Sequence, residues 1–105
     1  MSTSNTHTKT INRIANAIAP LASEYGVRQL TLFGSYARGE ETQNSDIDLR
    51  IVDRGSLRGL FKLAAFQREL EEHLGKRVDL LPTDSLSNSF LDQIKDEEVT
   101  VYGFE

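Results

Sequence analysis

The sequence has 105 residues, which suits one domain and leaves little room for a second. A formal net charge of −4 without a basic tract argues against sequence-independent nucleic-acid binding, which depends on lysine and arginine. The lack of cysteine excludes disulfides and thiolate metal sites. No apolar run or signal-peptide pattern points to a membrane or to export, so a cytoplasmic protein is expected.

The predicted elements alternate between helix and strand. Residues 1–8 are polar and are expected to form a disordered start, followed by a single domain over residues 9–105. Apolar residues recur at helical spacing over 9–25, where Pro20 is expected to kink or split the helix. Strands are predicted at 28–33, 46–52, 77–81 and 99–102, and further helices at 57–74 and 87–96, with a helical turn after the first strand. The order α-β-α-β-α-β-α-β predicts an α/β (α+β) fold in which helices flank a small mixed β-sheet.

The helix predicted at 57–74 has a wide apolar surface. Its leucine, phenylalanine and alanine side chains cover an arc of about 200° on a helical wheel. A helix that rests on one sheet needs only about 100°. Two interpretations stay open: the first helix covers the excess, or the arc docks a partner.

Two aspartates lie within an otherwise apolar strand. Because side chains alternate along a strand, Ile47 and Leu49 are expected to face the core while Asp46, Asp48 and Arg50 share the other face. Paired carboxylates repel each other and are costly to desolvate, so they persist where a cation lies between them or where the face is wet. Taken alone, a solvent-facing edge strand explains the pair at least as well as a functional site.

The preceding segment, GSYARGE, favours the functional interpretation. Gly34 has no Cβ, so a phosphate oxygen can approach the backbone, and Ser35 offers a hydroxyl and an N–H group. By itself a Gly-Ser pair is most often a simple turn. A phosphate-binding corner followed by two carboxylates, however, has the donors needed to bind a nucleoside triphosphate through Mg²⁺. Asp79 in RVDLL is expected to face Asp46 and Asp48 if the two strands adjoin; the alternative is a solvated position.

GSYARGE, SDIDL and VDLL together resemble the DNA polymerase beta-like nucleotidyltransferase superfamily, most closely its minimal nucleotidyltransferase (MNT) domains. The resemblance covers nearly the whole chain and implies the polymerase beta-like nucleotidyltransferase fold. It also implies that Gly34 and Ser35 hold the triphosphate of ATP. By the same resemblance, Asp46, Asp48 and Asp79 bind two Mg²⁺ ions, and Asp79 helps to activate the attacking hydroxyl.

Other polar residues have structural explanations beside the functional ones. Arg38 is a weak candidate for a phosphate contact, since an ion pair with the adjacent glutamates is the more common arrangement. Arg50 is equally compatible with pairing to an aspartate and with a substrate contact. His7 and His73 have no partners at metal or triad spacing and are expected to lie on the surface.

The MNT resemblance implies an antitoxin that forms a heteromeric complex with a HEPN-domain ribonuclease toxin. Members of this family transfer AMP from ATP to a tyrosine hydroxyl near the ribonuclease site, which silences the toxin, and no contact with nucleic acid or membrane is expected. One alternative is a small-molecule nucleotidyltransferase similar to those that modify aminoglycosides, although no acceptor domain is expected in 105 residues and a dimer would have to complete the site. The other is a non-catalytic antitoxin that covers its partner, against which the intact motifs argue.

Overall fold

The computed structural model describes residues 3–53 and 59–103. Its elements follow the predicted alternation of helices and strands, which confirms the mixed α/β architecture. They are α1 (Thr3–Glu24), β1 (Val27–Phe33), α2 (Gly34–Arg38), β2 (Ile47–Asp53), α3 (Leu60–Leu74), β3 (Val78–Pro82), α4 (Asn88–Ile94) and β4 (Val99–Gly103), with a 3-10 turn at Thr83–Ser85.

The four strands form one mixed sheet in the order β3-β2-β1-β4. The central strand β1 is antiparallel to both β2 and β4, whereas β2 and β3 are parallel. A parallel pair needs a crossover connection, which α3 provides. The register of this pair sets Asp48 directly opposite Asp79, so the two strands adjoin as the functional interpretation required.

One face of the sheet carries the core. Ile47 and Leu49 are almost completely buried, as the alternation of the strand predicts, and α1 and α3 contribute apolar side chains to the same cluster. Burying such side chains supplies most of the favourable free energy of folding in a domain of this size. The least exposed members of the cluster are Ile18, Ala22, Leu30, Leu32, Leu49, Phe66 and Leu70.

Helix α1 begins earlier than the sequence predicts. It starts at Thr3, so the described part of the segment expected to be disordered is helical. A tertiary contact explains the extension: the His7 ring lies against Gly39, with its Nε2 atom 3.3 Å from the carbonyl oxygen of Tyr36. His7 is therefore half-buried and not the surface residue expected. Pro20 lies inside the helix without ending it, on an exposed position where water can satisfy the carbonyl left without a partner.

Helix α3 begins at Leu60, and the predicted positions 57 and 58 lie outside the described residues. Phe66 and Leu70 are buried, and the Tyr25 ring at the end of α1 lies 4.9 Å from the ring of Phe66. The first helix thus covers much of the wide apolar arc, while Phe61 remains 93% exposed. Within the described ranges, no helix combines the length and apolar character needed to cross a membrane.

The short helix α4 packs on the opposite face of the sheet. The Phe90 ring meets the ring of Phe33 edge-on at 5.7 Å, and Phe33 is paired with Asp48 in the sheet. The helix begins where the hydroxyl oxygen of Ser87 accepts a hydrogen bond from the Phe90 N–H group and so caps the helix. Helix α4 and the residues that follow it therefore border the face that holds the aspartates.

Candidate active site

Asp48 and Asp79 lie side by side on the second face of the sheet. Asp48 is half-buried and Asp79 is exposed. Burial, the charge of Asp79, a hydrogen bond with Asp79 and the charge of Asp46 raise the pKa of Asp48 from 3.8 to about 6, against the lowering effect of Arg38. Carboxylates that share a site cannot all ionise freely, so this raised pKa is the electrostatic sign of an acidic cluster that a cation would stabilise.

Asp46 has a different neighbour. Its Oδ1 atom lies 3.9 Å from Nε of Arg77, an exposed arginine just before β3. In the part of the chain that the structure describes, no three His, Cys, Asp or Glu side chains converge closely enough to hold a metal ion. The structure thus brings Asp48 and Asp79 together, while Asp46 contributes its charge to the cluster from the side of Arg77.

Gly34 joins the turn after β1 to this cluster. Its φ angle of +77° is in the left-handed region that favours glycine, and a Cβ atom at this position would overlap the Asp48 carboxylate. The sequence predicts that the missing Cβ leaves room for a phosphate. In the structure, the group closest to that space is the Asp48 carboxylate from β2. Glycine is therefore required here to bring the turn and the acidic strand together.

The amide of Gly34 and the guanidinium of Arg38 hold an anion, and we refer to these two groups as the anion cradle. Gly34 N–H donates to the Glu97 carboxylate at 2.6 Å, and Arg38 Nη1 lies 3.2 and 3.3 Å from the two oxygens of that carboxylate. Arg38 Nε also donates to Glu40 at 2.9 Å, so the ion pair expected for this arginine is present. Ser35 is half-buried within the same turn, and its carbonyl accepts the Glu40 N–H at 2.9 Å.

Arg50 is held by Glu98. Its Nε and Nη2 atoms donate to the two oxygens of that carboxylate, and Nη1 donates to the Thr83 hydroxyl at 3.2 Å. Arg50 thus has a structural ion pair, as one of its two interpretations held, but the partner is a glutamate and not an aspartate of the cluster. Neither Glu97 nor Glu98 is marked in the sequence, because two consecutive glutamates before a strand look like an ordinary solvated turn.

Comparison with known proteins shows the family to which the chain belongs. Residues 12–101 match the nucleotidyltransferase domain family. A candidate protein adenylyltransferase of Methanocaldococcus jannaschii is 42% identical over 91 residues, covering 87% of this chain and 97% of the relative. The protein adenylyltransferase MntA of Thermococcus cleftensis is 38% identical over 81 residues, covering 77% and 81%. A chain from a crystal structure of a toxin–antitoxin with AMP-PNP superposes with a TM-score of 0.74 at 25% identity, over 87% of this chain and 74% of that one.

Proposed function

We propose that this chain, which belongs to the nucleotidyltransferase domain family, is a protein adenylyltransferase and the antitoxin of a HEPN-domain toxin. It would transfer AMP from ATP to a tyrosine hydroxyl of the toxin and so neutralise it. The observation that carries the proposal is the pairing of Asp48 with Asp79, in register, beside the turn that begins at Gly34.

The anion cradle and Ser35 are the groups we assign to the triphosphate. A backbone N–H group and a guanidinium are the donors that proteins use for phosphate oxygens, because both present fixed hydrogen bonds to an anion. That these donors already bind the Glu97 carboxylate supports their affinity for anionic oxygens. Ser35 adds a hydroxyl and a second amide in the same turn.

We assign magnesium, with two ions expected, to Asp48 and Asp79, which lie side by side, and to Asp46, whose carboxylate would turn from Arg77 towards them. Their carboxylate oxygens are the hard ligands that Mg²⁺ prefers, and burial, followed by the charges of Asp79 and Asp46, raises the pKa of Asp48. Magnesium at these carboxylates would neutralise charge on the phosphates and lower the pKa of the attacking hydroxyl.

The remaining work of the chain is to position the reactants. The tyrosine oxygen forms a bond to the α-phosphorus of ATP while the bond to the pyrophosphate oxygen breaks. Asp79, which is exposed beside Asp48, accepts the proton of the hydroxyl. Phosphoryl-transfer enzymes need little covalent chemistry of their own, so a small domain that aligns acceptor and donor is sufficient.

The test combines the chain, magnesium, ATP and the purified HEPN protein encoded beside it, and measures the intact mass of that protein. We expect the mass to rise by one or more AMP units, and the rise to disappear with Asp46→Asn/Asp48→Asn. Asp53→Asn is the matched control, because Asp53 is an exposed aspartate at the end of the same strand.

Two results would contradict the proposal. If the HEPN protein stays unmodified yet is inhibited, the chain acts by covering its partner. If AMP is transferred to a small alcohol without any partner, the chain is a small-molecule nucleotidyltransferase.

A further inference from the structure

We propose that Glu97 is an internal competitor for the triphosphate. Its carboxylate occupies the anion cradle in the nucleotide-free chain and has to leave when ATP binds, so Glu97 sets the nucleotide affinity. This inference rests on the proposed function, because it takes Gly34 and Arg38 to be triphosphate ligands.

The competition follows from the donors that the two anions share. One oxygen of the Glu97 carboxylate accepts hydrogen bonds from both Gly34 N–H, at 2.6 Å, and Arg38 Nη1, at 3.3 Å. A carboxylate and a phosphate present similar anionic oxygens to the same charge-assisted donors. An amide N–H group makes one good hydrogen bond at a time, so a phosphate oxygen on Gly34 N–H requires the glutamate to move away.

The neighbouring residues hold Glu97 in this position. Glu98, the next residue, is ion-paired with Arg50 on β2, and the N–H groups of Glu97 and Glu98 both donate to the Ile94 carbonyl at 3.0 and 3.1 Å. The end of α4 is therefore attached to the sheet at the residue beside the competitor. The carboxylate needs no backbone rearrangement to reach the cradle, which makes it an effective competitor.

The Glu97 side chain is in partial contact with water. It is 19% exposed, so it can exchange its place on the cradle for solvent. Arg38 is itself 43% exposed and keeps the Glu40 carboxylate as a second partner. The exchange of one anion for another at the cradle is thus local and reversible.

Glu97→Gln tests the competition. It preserves the size of the side chain and removes its charge, and we expect the dissociation constant for magnesium ATP to fall about fivefold or more, since charge-assisted bonds are roughly twice as strong as neutral ones. Calorimetry should be run with magnesium ATP and, separately, with tripolyphosphate in EDTA, which probes the cradle without the metal or the base. Both ligands should bind more tightly to the variant.

Two glutamates provide matched controls. Glu98→Gln removes the same charge from the adjacent residue and keeps the hydrogen bonds from the Glu97 and Glu98 N–H groups to the Ile94 carbonyl, which hold Glu97 in position. Glu40→Gln frees Arg38 from one carboxylate but leaves the Gly34 amide bound to Glu97. Because Glu40 is exposed, this variant is expected to fold. For each of these two control variants, we expect the dissociation constants for magnesium ATP and for tripolyphosphate to stay within about twofold of wild type.

A measurement on the wild-type chain makes the test independent of whether any variant folds. In amide NMR spectra of the wild-type chain, the Gly34 resonance should shift on adding tripolyphosphate, because the amide exchanges the Glu97 carboxylate for a phosphate oxygen. A Gly34 amide that does not respond to tripolyphosphate contradicts the exchange of partners.

The outcomes separate this inference from the proposed function. Equal or weaker ATP binding by Glu97→Gln would show that Glu97 only supports the turn, and the enzymatic proposal would stand without it. Equal gains in Glu97→Gln and Glu98→Gln would indicate a general effect of charge and overturn the inference. If neither wild type nor Glu97→Gln binds ATP or tripolyphosphate, both proposals fail together.

Discussion

The two faces of the sheet are built from the same strands and differ in what surrounds them. On one face, Leu30, Leu49 and Leu80 are buried beneath α1 and α3. On the other, Asp48 and Arg50 carry charges, and each lies beside another ionised group. Because side chains alternate along β2, consecutive residues belong to opposite faces. Substitutions at neighbouring positions of β2 should therefore change either the free energy of unfolding or the rate of AMP transfer, but not both.

Asp48→Asn should produce the largest effect, which is a lower rate of AMP transfer without a loss of stability. If the proposed function holds, loss of this carboxylate should lower AMP transfer by about 10³-fold, roughly 4 kcal/mol, because the variant lacks a charge assigned to the metal ions that neutralise the phosphates. The unfolding free energy should not fall, since the side chain is half-buried among like charges. Initial rates of AMP transfer and urea unfolding measure the two quantities. A variant that loses both would contradict the separation of the faces.

Leu49→Ala should produce the next largest effect, on stability alone. Leu49 is fully buried between Asp48 and Arg50 in sequence, and truncating it removes core contacts and leaves a cavity. We expect a loss of about 3 kcal/mol in the unfolding free energy. The rate of AMP transfer, normalised to the folded fraction, should stay close to wild type. If the normalised rate falls as far as it does in Asp48→Asn, the core face also determines the chemistry.

Gly34→Ala should damage both properties, because Gly34 lies where the turn after β1 meets the acidic face. A side chain at positive φ costs about 1–2 kcal/mol, and its Cβ would also push the Asp48 carboxylate aside. Gly75→Ala is the matched control: Gly75 has a φ of +67°, and a Cβ there meets nothing within 4 Å. Both variants should lose stability, and only Gly34→Ala should also lose AMP transfer. Equal activity in the two variants would argue against a role for the contact with Asp48.

The contrast between the faces also explains which features the sequence could predict. The alternation of Ile47, Asp48 and Leu49 is local, so it predicted the orientation of each side chain correctly. Asp79 needed one further assumption, that its strand adjoins β2, and the sheet order supports it. In both cases the information lies within a strand or in the pairing of two strands.

Contacts between distant segments could not be predicted in this way. Glu97 meets Gly34 across 63 positions of the chain, and Glu98 meets Arg50 across 48. The early start of α1 likewise depends on His7 reaching Tyr36, 29 positions away. None of these pairs is marked by periodicity or by a motif, because each depends on where α4 and α1 settle against the sheet.

The smallest expected effect is on the pH dependence of stability, and it measures what burial and the neighbouring carboxylates cost the charged form of Asp48. The pKa of Asp48 is about 6 in the folded chain, against an ordinary value of 3.8. Below pH 3.8 the group is protonated in both the folded and the unfolded state and contributes nothing. As the pH rises towards 6, the unfolded state loses its proton first, so the wild type loses stability that Asp48→Asn keeps.

In EDTA, the difference in unfolding free energy should grow in favour of the variant between pH 4 and 6. It should then level off at about 1 kcal/mol, after allowance for solvent screening of a half-buried group. A difference that is constant from pH 4 to 7 would mean that neither burial nor the neighbouring carboxylates raise the pKa of Asp48.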